Sequence, residues 1–234
     1  MRRDLLRETL RLFGTHLHLF TLITLTVWLP SHVLINYFDF FSGRPPGSTE
    51  AATRGIHVFL AVEAIFGPLV GAATLAALAR IARGDPPTYG QAMAEGLAAW
   101  PRLFFARLVQ GVLVLVGLVA LVVPGLVLLV RVSFTDALVV LEEMPLGAAL
   151  RASNVLTAGR REAIFWTGGA LLVGVFSVAT ILSVVAGAAE HFVAQVLVDC
   201  AIAVTQTVFT IALFLFYREA RYPAAPEVPA GRAG

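Results

Sequence analysis

There is no lysine in this chain: all 17 basic residues are arginine. The bias is that of a GC-rich bacterial genome, and it removes one reading outright. Gly169 to Gly174 has the glycine spacing of a phosphate-binding loop, but no Lys-Ser/Thr follows it and the run lies mid-span. A nucleotide site is thereby excluded. Cysteine is almost as scarce. Cys200 stands alone, so no intrachain disulfide can form and the thiol says nothing about compartment. Charge is thin as well, at 14% of residues, against about 25% in ordinary globular chains. No nucleophile–base pair, metal-ligand set or paired-carboxylate motif is present. The chain is therefore expected to be no enzyme, to carry no cofactor or metal, and to bind no nucleic acid.

What is present is apolar. Hydrophobic residues make up 58% of the chain and the mean hydropathy is +0.83. Six apolar segments stand out, at about 17–39, 56–79, 103–123, 125–141, 163–189 and 192–217. A membrane helix needs roughly 20 such residues. The expected fold is all-α: one six-span membrane domain over 1–222, followed by a disordered cytoplasmic tail at 223–234. The basic N-terminal stretch leads into a full-length span without a small-residue cleavage site, so it reads as part of the domain rather than a signal peptide. Pro30 and Pro68 are tolerable inside spans, because neighbours can satisfy the carbonyls they free.

Arginine placement orients the spans. With both termini cytoplasmic, 14 arginines fall inside, Arg44 and Arg54 fall outside, and Arg131 stays within the membrane. The positive-inside rule asks for that asymmetry. Trp100, Trp166 and Tyr217 then sit at the cytoplasmic interface, and Tyr37, Phe38, Phe40 and Phe41 at the outer one. The outer connections are a Gly/Pro-rich loop near 40–55, the Pro124-Gly125 turn, and a turn near Glu190.

The inner connections have the pattern of surface helices. Residues 2–14 form one. Thr88-Tyr89-Gly90-Gln91 is a capping box opening a second, which ends near Trp100-Pro101. Pro145 is placed to start a third and Gly159 to stop it. Three hairpins result, each preceded by a short cytoplasmic interfacial amphipathic helix. An echo of Tyr89–Met93 at Leu146–Leu150, 57 residues on, fits a parallel repeat.

From Val123 to Arg161 the residues follow a recognisable order: Pro124-Gly125, Arg131, Glu142, Ala149-Leu150-Arg151, Ser153, Leu156-Thr157 and Gly159. This order resembles the membrane domain of some glycerophosphoryl diester phosphodiesterases and of related stand-alone bacterial integral membrane proteins. The resemblance implies a bare six-span module of the bacterial inner membrane. Phosphodiester hydrolysis is not implied, since no catalytic barrel accompanies the spans.

Ionisable groups inside spans are functional candidates. At about 1.5 Å per residue, Glu63, Arg131 and Asp199 each lie roughly 10 Å below the outer ends of spans two, four and six. Arg131 is therefore expected to pair with Glu63 or Asp199 rather than with Asp136, which lies about 140° around its own helix. The pair also reads as a packing device, and Arg131 can snorkel to headgroups. Gln110, Gln195 and Gln206 read as interhelical hydrogen-bonders, and Gly67/Gly71 as a helix-packing pair. Ser153 and Thr157 read as bonding backbone carbonyls. Two function classes follow. One is a non-enzymatic module that contacts membrane lipids, or a protein partner on its cytoplasmic face. The other is a small transporter or channel built on Glu63, Arg131 and Asp199, weakened by the lack of an evidently discontinuous span.

Overall fold

The computed structural model describes residues 2–41, 49–189 and 191–223. Residues 42–48, Glu190, the side chains of Phe38 and Phe40, and residues 224–234 lie outside the described residues. Every regular element among the described residues is an α-helix: α1 (Arg2–Thr15), α2 (Leu17–Phe41), α3 (Thr49–Ala82), α4 (Tyr89–Ala120), α5 (Val122–Arg131), α6 (Thr135–Leu141), α7 (Leu146–Leu156), α8 (Arg161–Ala189) and α9 (Phe192–Arg221). Six helical stretches are long and apolar enough to cross a membrane, with α5 and α6 together forming the fourth. The chain is a multi-pass membrane protein. Helices suit that setting because each satisfies its own backbone polar groups.

α3 is the hub, packing on α2, α4, α6 and α9. Its contact with α4 is the most extensive, and small residues explain why. Ala73 of α3 lies against Gly96 of α4, and the neighbouring Ala72, Ala76 and Ala77 on α3 and Ala92 and Ala99 on α4 are likewise small and buried. Without bulky side chains between them, two helix backbones can approach closely. A Cβ at Gly96 would stand 2.7 Å from both the Cα and the backbone nitrogen of Ala73.

Two expectations change here. The capping box is formed, with the Gln91 N–H donating to Thr88 Oγ1 and the Thr88 N–H to Gln91 Oε1 at 2.9 Å. The helix it opens does not stop at Pro101, however. It continues into span three as one 32-residue helix, because its 92–106 stripe stays packed and Pro101 removes only one backbone donor. The segment 89–100 is thus the first part of a long helix against α3, not a separate surface helix. Trp100, expected at an interface, donates its indole N–H to the carbonyl of Ile65 at 2.7 Å, next to the carbonyl freed by Pro68.

Pro124-Gly125 is also not the turn itself. α4 ends at Ala120, Leu121 alone is extended (φ −163°, ψ 135°), and Pro124 lies in the first turn of α5. A missing N–H is harmless there, since first-turn donors have no intrahelical acceptor. Gly125 faces Gly117 across the α4–α5 contact, where a Cβ on Gly117 would meet the Gly125 Cα at 3.1 Å.

Span four is interrupted. α5 ends at Arg131, residues 132–134 form turns, and α6 resumes at Thr135. One end of the bundle gathers polar links. Glu142 accepts from the Tyr217 hydroxyl at 2.5 Å and from Arg221 at 2.8 Å, and Arg218 bonds Glu8 of α1 at 2.9 Å. Arg102 bonds Glu143 at 3.0 Å and holds that carboxyl below the usual carboxylate range. Tyr217 is therefore buried and bonded rather than exposed in an aromatic belt, whereas Trp166 is exposed.

Candidate functional site

The buried stripe of α4 runs Ala92, Gly96, Ala99, Leu103, Ala106 at helical spacing, and its next polar members are Arg107 and Gln110. Three residues apart, they lie on one face, and both reach Asp136 of α6. Arg107 Nε donates to Asp136 Oδ2 at 2.9 Å, and Gln110 Nε2 donates to Oδ1 at 3.1 Å. The other side of the guanidinium lies 3.9 Å from Glu63 Oε1 on α3. The membrane-depth cluster is thus Glu63–Arg107–Asp136, with Gln110 completing it.

Two glycines make room for it. A Cβ at Gly67 would come within 2.5 Å of the Glu63 carboxylate, and one at Gly71 would overlap the Arg107 guanidinium. At both positions of this Gly67/Gly71 pair the nearest neighbour of an added Cβ is a charged side chain, so the pair makes a cradle for two charged groups. Beside it opens a cavity of about 410 Å³. Glu63, Arg107 and Trp28 line it from α2–α4, Gln206 and Thr207 from α9, and the exposed Leu172 and Phe176 from α8.

Asp199 lies apart from this cluster. Asn36 donates to its Oδ2 at 2.8 Å and Gln195 to its Oδ1 at 3.1 Å, while His32 Nδ1 stands 4.0 Å away. Gln195 therefore acts within its own helix rather than between helices. His32 is 8% exposed and its Nε2 has no hydrogen-bond partner. The ring stacks on Trp28, which stacks on Phe59. Asp199 and His32 line a second cavity of about 240 Å³ that shares Trp28, Ile202, Ala203 and Gln206 with the first.

Arg131 does not join either acid. Among the described residues it forms no ion pair, and its Nε is buried without a partner. Its backbone carbonyl is what matters, because it ends α5. Ser153 of α7, fully buried, donates to that carbonyl at 2.7 Å and accepts from the Phe134 N–H at 3.1 Å. One hydroxyl thereby satisfies both sides of the break. Thr157 bonds the Asn154 carbonyl of its own helix at 3.2 Å. Gly159 takes φ +77°, the left-handed value that ends a helix readily only at glycine. Arg151 is exposed.

Counting depth along the spans selects the wrong arginine for a specific reason. Arg107 interrupts the apolar run just before Leu108, where the cleanly apolar part of span three begins, so counting assigns it to the cytoplasmic flank. The i, i+3 spacing of Arg107 and Gln110 is the signal that could have found it. Elsewhere, no group of three or more His, Cys, Asp or Glu among the described residues could hold a metal ion, and Cys200 is buried.

The fold and site define an all-helical multi-pass membrane protein with a charged cleft between its spans. No family model, curated protein or solved structure matches the chain.

Proposed function

We propose that this chain is a non-enzymatic module of a bacterial inner membrane that binds a membrane amphiphile in the cleft between α2–α4 and α8–α9. The observation that carries this is the pairing of walls around the 410 Å³ cavity: a carboxylate and a guanidinium on one side, the apolar Leu172 and Phe176 on another. That polarity matches a molecule with a polar head and a hydrocarbon body. α8 is the natural entry wall. Only 11% of its apolar window is buried, against 39% for α3, and it packs chiefly on α9.

In this reading the termini are cytoplasmic. The spans form three outward hairpins, with α1 and α7 as interfacial helices available to headgroups or a protein partner. The arginine distribution supports it, as does the gathering of Glu8, Glu142, Arg218 and Arg221 at one end. The likeness to the phosphodiesterase membrane domain is kept as part of this proposal. The test is native mass spectrometry after extraction in mild detergent. Wild type should retain a defined lipid, and Leu172→Trp, which adds bulk to the cavity lining, should release it. Equal lipidation of the two would remove the cleft from the account.

A second reading, a small transporter or channel, is favoured by the interruption of span four at Arg131, since broken helices recur in transporters. Single-channel recording in planar bilayers under a KCl gradient checks its channel form. Silence there would leave the binding module.

A further inference from the structure

Arg107 spends its close contacts on Asp136, and the distance from its guanidinium to Glu63 Oε1 is 3.9 Å, too long for a hydrogen bond. Two carboxylates thus share one guanidinium. Glu63 is the less satisfied, with 44% of its side chain exposed beside the cavity. The adjoining cavity repeats the imbalance, because Asp199 is hydrogen-bonded by the neutral amides of Asn36 and Gln195. His32 is the nearest basic group to it in that lining, at 4.0 Å, and its Nε2 is buried without a partner. Two carboxylates, Glu63 and Asp199, therefore line two cavities with a common wall, beside one guanidinium already bonded to Asp136 and one imidazole.

An uncompensated negative charge is expensive in a medium of low dielectric constant and is offset best by a cation brought to it. Aromatic rings offer a second attraction. Trp28 lines both cavities but is stacked on His32 and Phe59, whereas Phe176, exposed on α8, lines the cavity beside Glu63, and aromatic faces attract alkylammonium groups. The Gly67 and Gly71 gaps hold the Glu63 carboxylate and the guanidinium close to α3, which leaves the adjoining volume open.

We infer that the cleft selects cationic amphiphiles, seating an ammonium headgroup against Glu63 and Phe176 while the hydrocarbon lies along α8. This rests on the amphiphile-binding reading and adds the charge of the head. The ammonium could belong to an amine-bearing membrane lipid or to a free amphiphilic amine.

The test is calorimetric titration of the purified full chain in the nonionic detergent dodecyl maltoside. Decyltrimethylammonium and decyl sulfate, which share a chain and differ in charge, are compared below their micellar concentrations. Decyltrimethylammonium should bind saturably and about tenfold or more tighter than decyl sulfate, the effect of one favourable charge contact. Glu63→Gln should remove that preference, and Leu172→Trp should remove binding of both. Equal affinities in the wild type, or preference for the sulfate, would overturn the inference without any variant. So would a folded Glu63→Gln protein that keeps the preference. If Leu172→Trp leaves both titrations unchanged, it is the cleft reading that fails, which separates the two failures. A second arm asks which source applies: phosphatidylethanolamine that competes with decyltrimethylammonium identifies a lipid headgroup, and its failure to compete identifies a free amine.

Discussion

Arg107 Nε lies 2.9 Å from Asp136 Oδ2, and together with the Gln110–Asp136 bond this contact ties span three to the second half of an interrupted span four. The pair is partly exposed, at 30% and 26% of the two side chains, so it is worth less than a fully buried pair. Asp136→Ala should still destabilise the protein by about 2 kcal/mol, because it removes the hydrogen bonds from Arg107 and Gln110 and leaves the guanidinium only its longer approach to Glu63. The double variant Arg107→Met/Asp136→Leu should recover most of that loss. Thermal unfolding in detergent measures both. A neutral Asp136→Ala would show that the pair contributes nothing to stability.

Gly96 offers a test of packing without charge. A Cβ there meets the Cβ, Cα and backbone nitrogen of Ala73, none of them a flexible side-chain tip, so α3 and α4 must separate. Gly96→Ala should cost about 1–3 kcal/mol, the range for overpacking. Adding Ala73→Gly should not restore stability, since the clash with main-chain atoms remains. Gly111, where an added Cβ would meet nothing within 4 Å, should behave oppositely: Gly111→Ala should stabilise by about 0.5–1 kcal/mol through helix propensity. Equal melting shifts for the two alanines would contradict the close crossing.

Much of the fold was legible because spans announce themselves. Long apolar runs, the Thr88 capping box and the Gly159 stop each have a local physical cause, and each is found at its expected place. The site was less legible, since its partners are set by which helices touch. Arg131 and Arg107 look alike along the chain. Only the α3–α4–α6 packing brings Arg107 to Glu63 and Asp136, while a turn after Arg131 leaves the Nε of that side chain without a partner. The role of Gly71 was likewise hidden, as a small residue that admits a guanidinium and one that admits a helix read the same in sequence.

That distinction at Gly71 can be tested. Gly71→Ala would push the Arg107 guanidinium from its cradle and should lower stability by about 1–2 kcal/mol through the weakened Asp136 contact. In an Arg107→Met/Asp136→Leu background the same substitution should cost almost nothing. A double-mutant cycle by thermal unfolding reads the coupling. An undiminished cost in that background would mean that Gly71 serves helix packing after all.

Ser153 holds the break in span four by one hydroxyl, bonded to the Arg131 carbonyl at 2.7 Å and to the Phe134 N–H at 3.1 Å. Removing it leaves two backbone groups unsatisfied in a buried position, at about 1–3 kcal/mol for each group left without a partner. Ser153→Ala should therefore melt well below the parent. The exposed Arg151→Ala, two residues away on the same helix, should stay within about 0.5 kcal/mol of it. Hydrogen exchange locates the effect: the Phe134 amide should lose protection in Ser153→Ala while amides of α4 around Ala106 keep theirs. If Phe134 remains protected, the interruption of span four is held by its own turns and α7 is not its clamp.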